Sequence, residues 1–229
     1  HGNVSAKLVE VTDSFKMKRG GQLSNLHIAY ETWGELNKDK SNVIVIFTGL
    51  SANSHVTSSQ GDQTPGWWET MVGDGKAIDT EKYHVICINT LGSCFGSTSP
   101  VSINKKTSQP YRLTFPELTV EDMADASRLL LKKIGINKIH VLIGPSLGGM
   151  KALAFSILHN TVVDNMILIS TATQALPFAI ALRSLQREVI RKDPLWSNGF
   201  YSYEKPPLNG DRIARKIGMT SYRSANEWV

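Results

Sequence analysis

The chain has 229 residues, of which 41% are hydrophobic and 20% are charged, the composition of an ordinary globular domain. No apolar run is long enough to predict a transmembrane helix, and two cysteines, Cys87 and Cys94, argue against a disulfide framework or a cysteine-rich zinc site. The net charge of +5 comes from dispersed basic residues, which argues against a nucleic-acid binder. We therefore expect a cytoplasmic protein with no metal, no membrane segment and no nucleic-acid partner.

Four short apolar runs, 43–47, 84–89, 139–143 and 166–170, predict strands. They are rich in β-branched residues and show no alternation, which is typical of strands buried on both faces of a parallel sheet. The earlier segment 24–31 alternates between apolar and polar residues. It predicts an antiparallel strand at the edge of the sheet.

Helical patterns separate these strands. Thr119 followed by Asp122 predicts a capping box at the start of a helix, and Gly135 stands where such a helix commonly ends. A second helix is predicted from Leu147 to Leu158. Strands that alternate with helices predict an α/β fold with a mostly parallel sheet.

The character of the sequence changes near residue 174. Residues 175–192 predict one or two helices, and a proline-rich stretch then indicates a loop. We interpret residues 1–174 as the amino-terminal part of an α/β core. Residues 175–229 are interpreted as the start of a helical lid inserted over the sheet.

The segment 144–148 reads Gly-Pro-Ser-Leu-Gly and matches the pattern G-x-S-x-G. It follows a predicted strand and opens a predicted helix, which is the context of a nucleophile elbow. The two glycines remove side chains that would clash across a sharp turn, and the hydroxyl group of Ser146 would project near the positive end of the helix dipole. The pattern predicts Ser146 as a nucleophile, with a chance match in a glycine-rich loop as the alternative.

A serine nucleophile needs a base, which in elbow folds is a histidine that follows an acidic residue later in the chain. The only histidine after Ser146 is His159. It would lie about 20 Å away along the helix, too far to take the proton. We expect the acidic residue, the histidine and the carboxyl-terminal part of the fold to lie beyond Val229; the alternative is a serine that is not activated.

An oxyanion hole is the second part of such a site. One donor is the backbone N–H of the residue after the nucleophile, here Leu147, and the other comes from the loop after the first central strand. In this chain that loop is 47–55, which has a glycine at the strand end. An ordinary strand-to-helix turn would have the same composition.

Five segments carry a more specific signal than the elbow. They are Thr48-Gly49, residues 65–68 with 73–79, residues 89–94 with 96–98, residues 115–117 with 121–123, and the elbow with Met150. Together they resemble the homoserine O-acetyltransferase family, enzymes of the α/β-hydrolase fold. The resemblance runs over nearly the whole chain, and the Trp67-Trp68 pair and the segment 89–94 are its most specific parts.

The resemblance implies a ping-pong reaction in methionine biosynthesis. Ser146 takes an acetyl group from acetyl-CoA, and the hydroxyl group of L-homoserine then removes it. The resemblance implies the backbone N–H groups of Phe47 and Leu147 as the oxyanion hole, acetyl-CoA as a co-substrate with no bound cofactor, and a homodimer built through the helical insertion.

Three further residues are candidate substrate contacts. The resemblance assigns Arg215, at the end of a G-x-x-x-A-R segment, to the substrate carboxylate, which a guanidinium group can bind through two parallel hydrogen bonds. Tyr222 matches a tyrosine of the family, and Thr48 lies in the first of the shared segments. The alternative for Arg215 and Tyr222 is a surface helix with solvated side chains.

Other activities remain open on the sequence alone. The same fold could use succinyl-CoA, accept serine, or let water deacylate the enzyme as an esterase does, and a truncated, inactive chain is the non-enzymatic alternative. Cys94 is interpreted as structural, Trp67 and Trp68 as core or pocket residues, and His55 as an exposed loop histidine.

Overall fold

The computed structural model describes residues 5–228, which form two compact units divided between Thr173 and Gln174. The first unit contains β1 (Lys7–Lys16), β2 (Gln22–Trp33), β3 (Val43–Phe47), β4 (Val72–Gly73), β5 (Ile78–Asp79), β6 (His84–Ile88), β7 (Ile103–Asn104), β8 (Gln109–Pro110), α1 (Val120–Lys133), β9 (Ile139–Pro145), α2 (Leu147–Leu158) and β10 (Val163–Ile169). The second unit contains α3 (Pro177–Arg191) and α4 (Leu208–Ser221).

Six strands form the main sheet in the order β1-β2-β6-β3-β9-β10. The strands β6, β3, β9 and β10 are parallel, and β1 and β2 are antiparallel to their neighbours. All five residues of β3 are buried, as expected for a strand covered on both faces. The four apolar runs therefore form the parallel strands, and the predicted α/β class is confirmed.

The prediction of an edge strand at 24–31 is wrong. This segment lies inside β2, which pairs with β1 on one side and β6 on the other. The edge strand on this side of the sheet is β1, whose polar sequence gives no continuous apolar run and was not predicted. Edge strands commonly carry polar residues, because these residues discourage pairing with other chains. For this reason β1 does not show the apolar pattern of a strand that is buried on both faces.

Two helices of the first unit pack together on one face of the sheet. The capping box of α1 is present, since Thr119 and Asp122 exchange side-chain-to-backbone hydrogen bonds, and Gly135 ends the helix with a φ of +79°. A core forms around α1, α2 and the sheet, and it includes Val45, Phe47, Leu130, Leu131 and Phe155. A second core on the opposite face includes Trp33, Ile44, Ile46, Val56 and Val72.

The strand β10 has one partner among the described strands, β9. Three consecutive apolar side chains of β10, Met166, Ile167 and Leu168, are between 37% and 48% exposed. Ile157 of α2 is also exposed. This side of the first unit is therefore apolar at its surface within residues 5–228.

The second unit is a pair of packed helices. Gly210 of α4 lies against α3, because a Cβ atom at this position would be 2.7 Å from the carbonyl oxygen of Val189. The side-chain amide of Gln186 donates to the carbonyl oxygen of Ala214 at 2.8 Å. The predicted helical content of residues 175–192 is confirmed by α3, and the role of this unit as a lid stays a prediction.

Candidate active site

Ser146 lies at the turn where β9 gives way to α2. Its φ of +52° and ψ of −120° lie outside the regions that residues with a side chain normally occupy. The backbone N–H of Ser146 donates to the carbonyl oxygen of Ile169 at 2.9 Å, which fixes the turn to the neighbouring strand β10. The side chain of Ser146 is exposed. A strained backbone that presents a hydroxyl group to solvent is the geometry of a nucleophile elbow.

The glycines of the elbow allow close backbone contacts. A Cβ atom on Gly144 would lie 2.4 Å from the carbonyl oxygen of Gly148, so a side chain at this position would clash with the backbone of the turn. A Cβ atom on Gly148 would lie 2.3 Å from the carbonyl oxygen of Phe47, at the end of β3. The G-x-S-x-G pattern therefore reflects two separate close approaches, one within the elbow and one between the elbow and β3.

A threonine that follows β10 supports the elbow from the other side. The hydroxyl group of Thr171 donates to the carbonyl oxygen of Ser146 at 2.7 Å. A Cβ atom on Gly149 would lie 2.5 Å from the methyl group of Thr171, so this third glycine makes room for the threonine. Sequence reasoning missed Thr171, because it is 25 residues from Ser146 and belongs to no recognised motif.

The two predicted oxyanion donors belong to segments that the structure brings together. Phe47 is the last residue of β3, Leu147 is the first residue of α2, and the contact at Gly148 joins these two elements. Thr48 follows Phe47, and its buried hydroxyl group lies 3.2 Å from that of Thr90, at the end of β6. The side chain of Thr48 therefore joins two strand ends, and its role as a substrate contact stays a prediction.

Lys151 is a feature of α2 that sequence reasoning did not identify. Its side chain is completely buried, and its Nζ atom lies 4.0 Å from the centre of the Phe47 ring. No described residue forms a hydrogen bond to this Nζ atom. Burial lowers the pKa of Lys151 to about 7, since the interior disfavours the charged amine.

The loop after β3 is held by a buried ion pair, and the interpretation of His55 as exposed is wrong. His55 is buried, with Nδ1 2.9 Å from the carboxylate of Glu31 and Nε2 2.7 Å from the carbonyl oxygen of Thr64. Both neighbours are acceptors, so both ring nitrogens donate and the imidazole is charged. Burial alone would lower the pKa of His55, but the hydrogen bonds to Glu31 and Thr64 outweigh it and raise the pKa.

The same network reaches the loop after β6. The hydroxyl group of Ser54 donates to Glu31 at 2.9 Å, and the side-chain amide of Asn89 donates to Ser54 at 3.1 Å. Because Asn89 follows β6 and Ser54 follows β3, Glu31 on β2 fixes both loops at the carboxyl ends of the parallel strands. In open α/β sheets that edge is where ligands bind.

The tryptophan segment is anchored by a carboxylate. Glu69 accepts from the backbone N–H groups of Gly66 and Ser58, each at 2.8 Å, and the bond from Gly66 is the main reason that its pKa falls to about 2. Trp67 and Trp68 stack with ring centres 5.3 Å apart. Trp68 packs against the second core, in agreement with core packing, whereas Trp67 is 37% exposed and its place in a pocket stays a prediction.

The described histidines contact groups other than Ser146. His159 ends α2 and lies 3.1 Å from Asp125 of α1, in agreement with the expectation that it is not the base. Nδ1 of His27 and Nδ1 of His84 each donate to a backbone carbonyl oxygen, and His140 stacks on Tyr83. Within residues 5–228, no histidine forms a hydrogen bond to the nucleophile.

Arg215 and Tyr222 lie in the second unit, on α4 and at its end. The side chain of Arg215 is 70% exposed, and its Nε atom lies 3.7 Å from the carboxylate of Asp211. Tyr222 is also exposed, and the guanidinium group of Arg183 lies 5.7 Å from the centre of its ring. Both side chains are accessible to a ligand, and their assignment to the substrate stays a prediction.

The cysteines differ in environment. Cys87 on β6 is buried, and burial raises the pKa of its thiol, which keeps it unreactive. Cys94 is exposed in the loop after β6, so its interpretation as a structural cysteine lacks support from packing. The described residues contain no group of three metal-ligating side chains. In the same part of the chain, no helix has the length and hydrophobicity needed to cross a bilayer.

Comparison with known proteins agrees with the geometry. Residues 42–229 match the sequence profile of the α/β hydrolase fold. The chain therefore belongs to the α/β-hydrolase fold family. Its sheet order, its elbow and the helix that follows the elbow are the features by which this class is defined.

Relatives that are about half identical to this chain are named O-acyltransferases. A serine O-succinyltransferase of Litchfieldella anticariensis is 51% identical over 223 residues, which are 97% of this chain and 61% of that protein. An L-serine/homoserine O-acetyltransferase of Streptomyces lavendulae is 50% identical over 224 residues, which are 98% of this chain and 60% of that protein. The resemblance to this group is confirmed, and the chain spans about three fifths of the length of these relatives.

Two solved structures are also similar. The homoserine O-acetyltransferase from Bacillus anthracis is 33% identical with a TM-score of 0.84, over 94% of this chain and 59% of that chain. The crystal structure of an esterase is 34% identical with a TM-score of 0.84, over 93% of this chain and 60% of that chain. The same backbone therefore occurs in proteins named for acyl transfer and for ester hydrolysis.

Proposed function

We propose that the protein transfers an acyl group from acyl-CoA to the hydroxyl group of a small amino acid, through an acyl intermediate on Ser146. The observation that carries the proposal is the strained, exposed Ser146 between β9 and α2. Half of the chain is identical to relatives named serine or homoserine O-acyltransferases, which supports the same chemistry. Backbone strain of this kind persists where the surrounding structure holds it, and it is concentrated at functional sites.

In the first half-reaction, Oγ of Ser146 attacks the thioester carbonyl carbon of the acyl-CoA. A C–O bond forms, the hydroxyl proton passes to a general base, and the thioester oxygen becomes negatively charged. We assign the N–H groups of Phe47 and Leu147 to this oxygen, because fixed backbone donors stabilise charge that develops in the transition state. The C–S bond then breaks, and coenzyme A leaves as the thiol with the proton from the base.

In the second half-reaction, the hydroxyl group of the amino acid attacks the acyl-serine ester. Its proton passes to the base, the ester bond to Ser146 breaks, and the serine recovers its proton as the O-acyl amino acid leaves. We assign Arg215 to the carboxylate of the amino acid, and Tyr222 and Thr48 to further contacts with it. We assign the role of the base to a histidine, as the family resemblance implies, and no histidine within residues 5–228 bonds to Ser146.

For the donor and the acceptor, the first candidate is acetyl-CoA with L-homoserine, a reaction of methionine biosynthesis. The resemblance of the five shared segments supports it, as does the name of the Streptomyces lavendulae relative. The second candidate is succinyl-CoA with L-serine, which the 51% identity to a serine O-succinyltransferase favours. Succinyl transfer would need a positive group for the extra carboxylate in the acyl pocket.

A homodimer through the second unit is part of the proposal. Three apolar side chains of α3, Phe178, Ile180 and Leu185, are at least half exposed. Phe178 and Leu185 lie seven residues apart and therefore share one face of α3, and an exposed apolar face is a common basis of self-association. Light scattering of the complete protein and of its Phe178→Glu variant tests this, and an unchanged molecular mass in the variant contradicts it.

The experiment that tests the function uses the complete protein with acetyl-CoA or succinyl-CoA, each with and without L-homoserine or L-serine. We expect coenzyme A release that depends on the amino acid, and a covalent acyl-enzyme, detected by intact mass, when the amino acid is absent. Ser146→Ala abolishes both, and Ser156→Ala, on the same helix, retains both. Coenzyme A release that is equally fast without an amino acid would instead indicate a hydrolase.

A further inference from the structure

Lys151 stands out because a lysine amine is buried without a polar partner. The whole side chain is inaccessible to solvent, and no described residue forms a hydrogen bond to Nζ. Burial of an ammonium group without a compensating acceptor destabilises the folded state, because the charge loses its hydration. An apolar residue of the same length would avoid this cost, so the amine is retained at the expense of stability.

The amine lies over an aromatic ring. Nζ of Lys151 lies 4.0 Å from the centre of the Phe47 ring, within the range of a cation–π contact. Phe155, one turn further along α2, holds the same ring in an edge-to-face contact with centres 5.6 Å apart. The ring of Phe47 is therefore fixed between two side chains of the helix that carries Leu147.

Within residues 5–228, no anionic side chain pairs with the amine. Of the elements around Lys151, β3 presents the ring of Phe47. The thiol of Cys87 on β6 acts on the amine only electrostatically, since it lies in the core on the opposite face of the sheet, and burial keeps it protonated. The neighbouring helix α1 carries Asp125, but this carboxylate pairs with Lys18 and with His159. A proton on Lys151 therefore places an uncompensated positive charge behind the end of β3.

We propose that Lys151 is a positioning residue for the oxyanion hole, and that it acts through Phe47. Its ammonium group holds the ring of Phe47 and thereby the backbone N–H at the end of β3, and its charge favours a negatively charged oxygen in the hole. This inference rests on the proposed function in one respect: both assign Ser146 as the nucleophile and the N–H groups of Phe47 and Leu147 as the oxyanion hole.

The arrangement has a consequence for the effect of pH. Burial lowers the pKa of Lys151 to about 7, so the amine changes from charged to neutral as the pH rises through the neutral range. The contribution of Lys151 to the reactivity of Ser146 is therefore present below about pH 7 and lost above it. A residue that only fills space would contribute equally at every pH.

The titration of Lys151 is tested directly by nuclear magnetic resonance of the complete protein labelled with ¹³C at lysine Cε. We expect one resonance that titrates near pH 7, far below the other lysines, and that is absent from Lys151→Met. A Lys151 resonance that titrates with the exposed lysines overturns the proposal. This measurement requires no substrate, so its result is independent of the proposed function.

The role in the hole is tested with a fluorophosphonate, which phosphonylates an activated serine and requires no acyl-CoA. We expect Lys151→Met to react about tenfold more slowly than the unmodified protein near pH 6, and at the same rate near pH 9. Lys133→Met, an exposed position on α1, reacts at the unmodified rate throughout. A rate ratio for Lys151→Met that is one at pH 6, or the same at both pH values, overturns the proposal.

A second variant covers the case in which Lys151→Met does not fold. Phe47→Leu keeps the lysine and the backbone donor but removes the ring, so the charged amine loses its partner. Without the ring, the amine loses its proton at a lower pH. We therefore expect the contribution of Lys151 to the phosphonylation rate to be lost at a lower pH than in the unmodified protein. An unchanged pH profile in Phe47→Leu overturns the proposal. The separate acyl-CoA assay then decides whether the proposed function survives.

Discussion

A Cβ atom on Gly148 would lie 2.3 Å from the carbonyl oxygen of Phe47, well inside the 3.0 Å below which Cβ atoms are essentially never found. This relationship couples the first turn of α2 to the end of β3. The two proposed oxyanion donors lie one on each side of the contact, at Leu147 and Phe47. The spacing between these donors therefore depends on a residue that has no side chain.

The first prediction concerns this contact. Gly148→Ala forces α2 away from β3, because the new methyl group overlaps the carbonyl oxygen of Phe47. We expect the rate of Ser146 acylation to fall about 100-fold or more, comparable to the loss of one oxyanion donor. Overpacking should also lower the free energy of unfolding by about 1–3 kcal/mol. Burst kinetics with acyl-CoA and urea denaturation measure the two effects.

Gly61→Ala is the matched control for Gly148→Ala. A Cβ atom on Gly61 would meet its nearest neighbours at 3.9 Å, an ordinary contact distance. We expect this variant to keep the acylation rate and the stability of the unmodified protein. Equal acylation rates in the Gly148 and Gly61 variants would contradict the proposed position of the oxyanion hole.

The second prediction concerns Thr171, whose hydroxyl group donates to the carbonyl oxygen of Ser146 at 2.7 Å. Thr171→Val keeps the shape of the side chain but removes the donor. We expect acylation about tenfold slower and the free energy of unfolding lower by about 1 kcal/mol, the usual contribution of one hydrogen bond. Thr171→Ser keeps the donor and should retain the rate. If the serine variant is as slow as the valine variant, the hydrogen bond is not the cause.

The elbow and Thr171 illustrate which parts of the site can be predicted from sequence. The G-x-S-x-G pattern is local, because Gly144, Ser146 and Gly148 act within one turn and between one strand and one helix. Thr171 acts on the same turn from the end of another strand, and nothing near it in the sequence indicates this. The four apolar runs were recognised because burial on both faces leaves a continuous pattern, and β1 was missed because an edge strand has no such pattern.

Buried polar residues were the hardest to predict. His55 lies in a loop rich in serine and asparagine, a composition that favours solvent exposure, yet Glu31 of β2 draws it into the interior. Lys151 lies on a helix next to apolar residues, and β3 places the ring of Phe47, not a polar group, beside its amine. In both cases the deciding neighbour is more than 20 residues away, so the sequence near the residue carries no signal.

The third prediction concerns substrate binding by α4. Arg215→Ala should raise the KM for the amino acid at least tenfold with little change in kcat, because it removes a contact made equally in the ground state and the transition state. The exposed ion pair of Arg215 with Asp211 contributes little to stability, so the variant should fold normally. Arg212→Ala, an exposed arginine on the same helix, should leave KM unchanged. Equal KM values for Arg215→Ala and the unmodified protein would remove Arg215 from the site.

The fourth prediction concerns the pH dependence of stability through His55. The folded protein raises the pKa of His55 above its ordinary value of 6.5, because the hydrogen bonds to Glu31 and Thr64 outweigh the effect of burial. The protonated imidazole therefore stabilises the fold fully below about pH 6.5, and this contribution is lost as the pH rises through the folded pKa. We expect His55→Gln to lower the free energy of unfolding by about 3 kcal/mol near pH 6 and by less near pH 9.

His27 provides the control, since it is a partly exposed histidine that lies 3.3 Å from Glu10 on β1. Its replacement by glutamine should cost little at either pH, because exposed pairs of this kind contribute about 1 kcal/mol or less. Urea denaturation of both variants at the two pH values gives the comparison. A cost for His55→Gln that is the same at pH 6 and pH 9 would show that the histidine is not charged in the folded protein. The loop after β3 would then be held by neutral hydrogen bonds, and the reactivity of Ser146 should be independent of the protonation of His55.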